Sequence, residues 1–210
     1  MIIKKIIVGV IHTNCYLIID ENTRDAAVID PGFNSERIIN EIDNSNCNLK
    51  YIILTHAHFD HSFEAQIIKD KYNAKIICNV HSKEVVANDD YNQSMSYMHK
   101  KLELTLDDND IYLNDKDEYK IGDMTFKLLF IGGHTLDSSA YYFRDEKMVF
   151  TGDTLFFETV GRSDLPGGDS EMLYENINDK LMLLPVDTRV LTGHGEETTI
   201  EHEKIYNEYI

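Results

Sequence analysis

The sequence predicts a single mixed α/β domain spanning residues 1–210. Three observations predict it. Short runs of β-branched residues alternate with stretches of helical period. No Gly/Ser- or Pro-rich linker and no internal repeat divides the chain. A chain of 210 residues, 42% of them hydrophobic, is long enough for one sizeable core without staples.

The elements follow in order. Residues 6–8, 16–19 and 26–29 read as strands, separated by polar turns such as Asp20-Glu21-Asn22 and Asp30-Pro31-Gly32. Ser35 is expected to cap a helix whose Ile38, Ile39 and Ile42 form a stripe of 3.6-residue period. A strand over 51–54, a helix over 62–71 with Phe63, Ile67 and Ile68 on one side, and a strand over 76–78 come next. Residues 88–120 are rich in Asn, Asp and Lys and contain the run Asp107-Asp108-Asn109-Asp110. They are expected to form a solvated loop or hairpin, the alternative being a lid over a site. Strands are then expected over 124–131, 140–143 and 148–150. Asp169 is placed to cap a helix carrying Leu173, Ile177 and Leu181, which Pro185 stops. A strand over 188–191 and a short acidic helix from Thr199 close the chain.

Charge narrows the function classes. Lys and Arg number 20 against 37 Asp and Glu, a net charge of −17. Such a surface repels polyanions, and phosphate contacts need clustered cations, so nucleic acid is not an expected partner. The three cysteines, Cys15, Cys47 and Cys78, form no CxxC and are odd in number. They read as free thiols suited to a reducing compartment. No run approaches 18 apolar residues, and Met1-Ile2-Ile3-Lys4-Lys5 lacks a signal-peptide core. The expectation is a cytoplasmic protein without a membrane partner.

The chemistry concentrates in Thr55-His56-Ala57-His58-Phe59-Asp60-His61. Four ligand-type side chains fall within six residues at the exit of an expected buried strand. Imidazole and carboxylate together suit zinc, iron or manganese. The i, i+2 spacing lets His56 and His58 converge on one ion, while Asp60 and His61 continue past it toward a second position. Further ligand types recur after expected strands, each beside glycine: His134 after Gly132-Gly133, Asp153 in Thr151-Gly152-Asp153-Thr154, and His194 in Thr192-Gly193-His194-Gly195. Taken singly each reads as a turn; the shared context of strand, glycine and ligand joins them. Arg162 reads as a loop ion pair with Asp164, or as a group facing a substrate anion. His12, His81, His99 and His202 match no motif.

The HxHxDH segment followed by His, Asp and His in this order resembles the signature of the metallo-β-lactamase fold. Thr13-Asn14-Cys15-Tyr16-Leu17-Ile18 is similar to the family's N-terminal strand, and Ile29-Asp30-Pro31-Gly32 to its following turn. Within the family the likeness is to short glyoxalase II-like hydrolases. It is carried by Thr151-Gly152-Asp153-Thr154-Leu155-Phe156, by residues 161–169 (GRSDLPGGD), and by Gly193-His194-Gly195 with Thr198, Thr199 and Glu201. The resemblance implies a four-layer αββα sandwich with two divalent metal ions at one edge: zinc, with iron or manganese as alternatives. It assigns His56, His58 and His134 to the first ion, Asp60, His61 and His194 to the second, and Asp153 as the bridge. It also implies a metal-bridging hydroxide that attacks a small-molecule thioester, with Asp60 orienting or relaying a proton.

Two departures bear on that expectation. Family members commonly show Pro-Gly-His-Thr-Pro-Gly around the third histidine. Here Gly132-Gly133-His134-Thr135-Leu136-Asp137 stands in its place, and the loop is expected to be softer. Only 16 residues follow His194 (210 − 194), so the helical domain that supplies much of the glutathione site is expected to be absent and S-lactoylglutathione a poor substrate. The rival activities are a mononuclear-iron persulfide dioxygenase and a lactonase. The sequence after His194 favours the short hydrolases over the dioxygenase.

Overall fold

The structure, a computed structural model, describes all residues, Met1–Ile210. The first β-branched runs pair as an antiparallel meander of β1 (Ile2–Val8), β2 (Thr13–Ile19) and β3 (Asp25–Ile29). From β3 onward the sheet turns parallel, through β4 (Asn48–Ile53), β5 (Lys75–Asn79) and β6 (Ile111–Leu113). Parallel neighbours need crossovers. These are supplied by α1 (Ser35–Asn44), by α2 (Phe59–Ser62) with α3 (Ala65–Tyr72), and by α4 (Ser82–Ala87), α5 (Asp89–Asn92) and α6 (Ser94–Met98).

The second sheet is drawn from the later half of the chain. Its members are β7 (Glu118–Ile121), β8 (Met124–Phe130), β9 (Ser139–Phe143), β10 (Met148–Gly152), β13 (Arg189–Thr192) and β14 (Thr198–Thr199). The spatial order is β14-β13-β10-β9-β8-β7, with β10 and β13 parallel. The small hairpin β11 (Leu155–Phe156) and β12 (Thr159–Val160) stands apart. α7 (Ser170–Asn176), continued by a π-helical turn at Ile177–Leu181, crosses between β12 and β13; α8 (Ile200–Tyr206) follows β14.

Strand alternation generates the layers. In β2, Tyr16 and Ile18 point one way and Leu17 and Ile19 the other, and all are buried. Tyr16 and Ile18 join Ile29, Ile53, Phe126, Tyr141 and Phe150 in a core between the two sheets. Leu17 and Ile19 join Val28, Ile52 and the inward stripes of α1 and α3, including Ile38, Ile42 and Ile68. On the far side, Val149 and Val190 pack against Leu173, Ile177 and Leu181. Three cores separate four layers, and the expected αββα sandwich is the architecture found. No helix is long and apolar enough to cross a membrane. All three cysteines are free, with Cys15 and Cys78 buried.

Several local expectations are corrected. Ser35 does not cap α1: Asn34 precedes it in left-handed conformation (φ 57°) and makes no side-chain cap bond. The Ser35 amide instead donates to Glu64 Oε2 at 2.6 Å, so a carboxylate from the next crossover satisfies that helix end. The helix expected over 62–71 is found as α3, starting later at Ala65, and a separate short helix, α2, precedes it inside the histidine motif. Residues 88–120 are a solvated loop only in part: 99–110 carry no helix or strand and are mostly exposed or half-buried, while α5 and α6 precede them and β6 and the start of β7 follow. The Asn residues of the first part act as local anchors: Asn88 accepts from the Asp90 and Tyr91 amides at the start of α5, and the Asn92 side chain accepts from the Ser94 amide. α6 then lays Tyr97 on Phe59, with ring centroids 5.1 Å apart. The Asp169 cap is found as expected, its Oδ1 accepting from the Met172 amide at 3.0 Å.

Candidate metal centre

All the ligand-type residues singled out in the sequence leave the C-terminal ends of strands that open on one edge of the sandwich. His56 and His58 follow β4, and Asp60 and His61 lie in α2. His134 follows β8, Asp153 directly follows β10, and His194 follows β13. β8, β10 and β13 run in the same direction, because β8 and β10 are each antiparallel to β9 and β10 is parallel to β13. Their exits therefore converge, although nearly 140 residues separate the first ligand-type residue from the last.

The seven residues form three overlapping triads: His56–His58–His134, Asp60–His61–His194 and His56–His61–Asp153. Within each triad one donor atom per residue lies within 4.8 Å of the others. His58 Nδ1 and His134 Nε2 are 3.1 Å apart. Asp60 Oδ2 lies 3.1 Å from His194 Nε2 and 3.2 Å from His61 Nε2. Asp153 faces both groups, with Oδ1 3.3 Å from His61 Nε2 and Oδ2 3.5 Å from His194 Nε2 and 3.8 Å from His134 Nε2.

The side chains are held by their far ends. His61 Nδ1 donates to Asp30 Oδ2 at 3.0 Å, His134 Nδ1 to the Arg162 carbonyl at 2.7 Å, and His194 Nδ1 to the Ile11 carbonyl at 3.2 Å. His56 Nδ1 lies 3.1 Å from Thr55 Oγ1, which itself donates to Asp30 Oδ2 at 2.7 Å. A proton fixed on Nδ1 leaves Nε2 as a lone pair, the usual outer support of a metal-binding imidazole. Thr13 Oγ1 donates to Asp60 Oδ2 at 2.9 Å.

The donor set fits divalent ions. His56 Nε2, His58 Nε2, His61 Nε2 and Asp153 Oδ1 are buried yet have no hydrogen-bond partner. Four such atoms at one locus would be costly in a finished fold. A cation is the partner that nitrogen and carboxylate lone pairs share, and N/O sets of this kind suit zinc, iron and manganese. Seven donors exceed what one tetrahedral ion takes.

Electrostatics divides the cluster. Burial, reinforced by His61, His58 and His134, drives the His56 pKa well below its ordinary value. Burial and His134 bring His58 down to about 3. Burial also opposes charge on His61 and His194, but the carboxylates prevail. Asp60, Asp153 and Asp30 raise His61 well above 6.5, and hydrogen bonds to Asp153 and Asp60 lift His194 to about 9. Burial in turn opposes the charged forms of Asp60 and Asp153; His61, with His194, holds both well below the usual carboxylate range.

Metal-free protein at pH 7 thus carries a proton on His194 that a ligand must lose. Metal uptake is expected to release that proton and to strengthen about tenfold per pH unit between pH 7 and 9. Calorimetry in buffers of different ionisation enthalpy checks this: an observed enthalpy independent of buffer would contradict it.

Some contributing residues were not picked out as functional. Asp30 stands in the sequence only as part of a polar turn. In fact it accepts the Thr55 amide at 2.8 Å on Oδ1 and serves His61 and Thr55 with Oδ2. Its left-handed backbone (φ 53°) is the local mark of that duty. Arg162 contributes its carbonyl, not its guanidinium; the side chain pairs with Asp164 at 2.7 Å and 2.8 Å, as an exposed loop ion pair. In the loop after His134, which lacks the family's two prolines, Asp137 is fully buried and hydrogen-bonded to Ser82 and Thr135. His12, His81, His99 and His202 lie outside the cluster.

The family profile of the metallo-beta-lactamase superfamily matches residues 8–194. The chain belongs to the metallo-beta-lactamase superfamily. Superfamily relatives align over nearly its whole length. Hydroxyacylglutathione hydrolase GloC of Haemophilus influenzae is 34% identical, covering 100% of this chain and 98% of its own. The solved BLEG-1 B3 metallo-beta-lactamase is 31% identical with a TM-score of 0.92, covering 99% of both chains. TTHA1623, solved in a di-iron-bound form, is 27% identical with a TM-score of 0.87, covering 99% of this chain and 100% of its own. The metallo-beta-lactamase fold implied by the histidine motif is thus the fold of the chain.

Proposed function

We propose that the chain is a dinuclear-metal hydrolase of small thioesters, of glyoxalase II type. The observation that carries this reading is Asp153, a single carboxylate that faces both the His134 side and the His61–His194 side of the cluster. His56, His58 and His134 would hold one ion, Asp60, His61 and His194 the other, with Asp153 between them. Zinc is the first choice, and the di-iron form of TTHA1623 keeps iron beside it. Two such ions lower the pKa of a water toward about 7 and polarise a carbonyl oxygen. The chain's own part is to fix the donors. Asp30 and Thr55 orient His61 and His56, and Thr13 and His194 hold Asp60 Oδ2, from which Asp60 orients or relays a proton. A thiolate leaves without much help from an acid, which suits a site rich in ligands.

The surroundings favour apolar substrate arms. A cavity of about 460 Å³ beside Phe59 is walled by Val10, Ile11, Phe33, Tyr97 and Met98. Another of about 330 Å³ borders His194, Phe156 and Phe157. Both are of small-ligand size, and neither is lined by Lys or Arg. A polyanionic thiol carrier would lack counter-charges there, and the net charge of −17 disfavours nucleic acid and anionic membrane surfaces as partners. In a panel of thioesters, apolar esters of small neutral thiols are expected to turn over, with S-lactoylglutathione showing a poor KM. Absence of turnover for every thioester, together with oxygen uptake on a persulfide, would replace this reading with an iron oxidoreductase.

A further inference from the structure

The Glu203 carboxyl group, in the first turn of α8, has no exposed surface. Its two oxygens accept from three separate segments. Thr198 Oγ1, in β14, donates to Oε1 at 2.6 Å. Asn207 Nδ2, just past α8, donates to Oε2 at 2.8 Å. The Glu158 amide donates to the same Oε2 at 3.0 Å. Asn207 Nδ2 also reaches the Thr159 carbonyl at 3.2 Å. The contacts with Glu158 and Thr159 fall on the tip of the β11–β12 hairpin, whose turn is Phe157 and Glu158. His202 reaches the same turn at Glu158 Oε1, but as an exposed pair that contributes little.

That hairpin has two rungs, Leu155 with Val160 and Phe156 with Thr159, and so short a pair of strands is not stable by itself. Its base is fixed by the cluster. It springs from Asp153 and Thr154, the Gly161 amide returns to the Thr154 carbonyl at 3.1 Å, and the Arg162 carbonyl accepts from His134 Nδ1. Its tip is strained instead. Glu158 has φ +57°, a left-handed backbone that a side chain disfavours and that persists only where the surroundings impose it. Glu203 supplies the restraint: if the tip swung away, a buried carboxyl oxygen would lose a partner. Side chains alternate along β11, so Leu155 joins the core of Leu173 and Ile177 while Phe156 takes the other face. There the Phe156 ring stands 6.2 Å from the His194 ring, on the groove of about 330 Å³ that borders His194.

We infer that Glu203 is a positioning residue for substrate specificity: it pins the hairpin tip to α8 and so fixes Phe156 as the wall of the groove at His194, which receives an apolar arm of the substrate. This role rests on the thioester reading above and extends it to a residue that meets neither substrate nor metal. Loss of such a wall raises KM and leaves kcat, because the arm gains no new contact as the carbonyl is attacked. The effect should grow with the arm and vanish for a substrate without one.

The test compares a thioester bearing a benzyl arm on each side of the reacting carbonyl with S-methyl thioacetate, which has neither. Glu203→Leu keeps the volume and removes both acceptors. It is expected to raise KM for the benzyl ester about 10-fold, the scale on which apolar pockets discriminate. Metal content, kcat and the KM for S-methyl thioacetate should stay near those of the parent. Glu203→Gln should restore the parent KM, since its carbonyl can take the Glu158 amide while its NH2 meets the Thr198 hydroxyl, which can accept. Asn207→Ala is the milder change; it removes the Thr159 tie and should give a smaller rise, again for the benzyl ester alone. Thr198→Val strips the donor that does not involve the hairpin, so it should lower Tm and leave both KM values. Hydrogen exchange of the Glu158 amide should speed up in Glu203→Leu and not in Glu203→Gln. An unchanged benzyl-ester KM in both Glu203→Leu and Asn207→Ala would overturn the role, as would a KM that follows Tm across all four variants. A fall in kcat or metal content at constant KM would place the effect in the metal centre and overturn it too. A parent that cleaves neither ester would overturn the thioester reading, and the specificity role with it, whatever the exchange at Glu158 showed.

Discussion

Asp153→Ala is expected to lose most of the second metal and well over ~100-fold in kcat, because even changes in outer contacts of a metal site cost about 10–100-fold. A carboxylate offers two oxygens, whereas an imidazole offers one free nitrogen once its other nitrogen is bonded. The Oδ1 of Asp153 faces His61, and its Oδ2 lies between His194 of the same group and His134 of the other. Removing it deletes a shared ligand and takes a negative charge from between two dications, so their mutual repulsion rises. His202→Ala is the control. His202 bonds Glu158 Oε1 at 2.9 Å and stacks on Phe157, away from the cluster. An exposed pair of this kind is worth little, and both metal content and rate should stay near those of the parent. Elemental analysis and steady-state kinetics decide the matter, and an Asp153→Ala protein with two metals and near-normal rate would show the carboxylate to be misassigned.

Gly32→Ala is expected to lower Tm by about 6–12 °C and to reduce metal content without touching any ligand side chain. A Cβ at Gly32 would meet the Asp60 carbonyl oxygen at 1.5 Å, its carbon at 2.2 Å and the His61 amide nitrogen at 2.9 Å. These are backbone atoms, so the helix bearing two ligand-type side chains must move bodily. Overpacking of this kind costs about 3 kcal/mol, and for a chain of this size each kcal/mol is worth about 2–4 °C. Gly195→Ala separates space from conformation. Nothing lies within 4 Å of a Cβ there, but its φ of +73° charges about 1 kcal/mol for any L side chain. Thermal melts of the two variants should therefore differ by several degrees, and equal melts would mean that the Gly32 contact relaxes freely.

What was legible in the sequence was what is local in it. His56, His58, Asp60 and His61 sit in one short segment, and His134, Asp153 and His194 each repeat the strand–glycine–ligand context, so single stretches announced them. The Leu173, Ile177 and Leu181 stripe and the Asp169 cap were legible for the same reason. What escaped is written between distant segments. Asp30 meets His61 across 31 positions and Ser82 meets Asp137 across 55, and no window of neighbouring residues contains either pair. Ser35 looked like a cap because serine commonly is one, yet Glu64 reached its amide first. The polar stretch after residue 88 is solvated over 99–110, but its first part is not, because the Asn88 and Asn92 side chains bond nearby backbone there.

The sheets divide the chain at its middle: β1–β6 use residues up to 113, and β7–β14 use those from 118 onward. Every triad at the edge spans that division. His56 and His58 need His134, Asp60 and His61 need His194, and His56 and His61 need Asp153. Neither half could assemble a triad alone, so the cluster acts as a latch across the seam. Ion uptake and docking of the halves are then linked equilibria: an ion bound only to the closed form favours closure by mass action. A chelator should loosen the seam before it unravels either sheet, with protection against hydrogen exchange falling first where Asn14 donates its amide to the Gly193 carbonyl, a bond 2.7 Å long that joins the first half to the second.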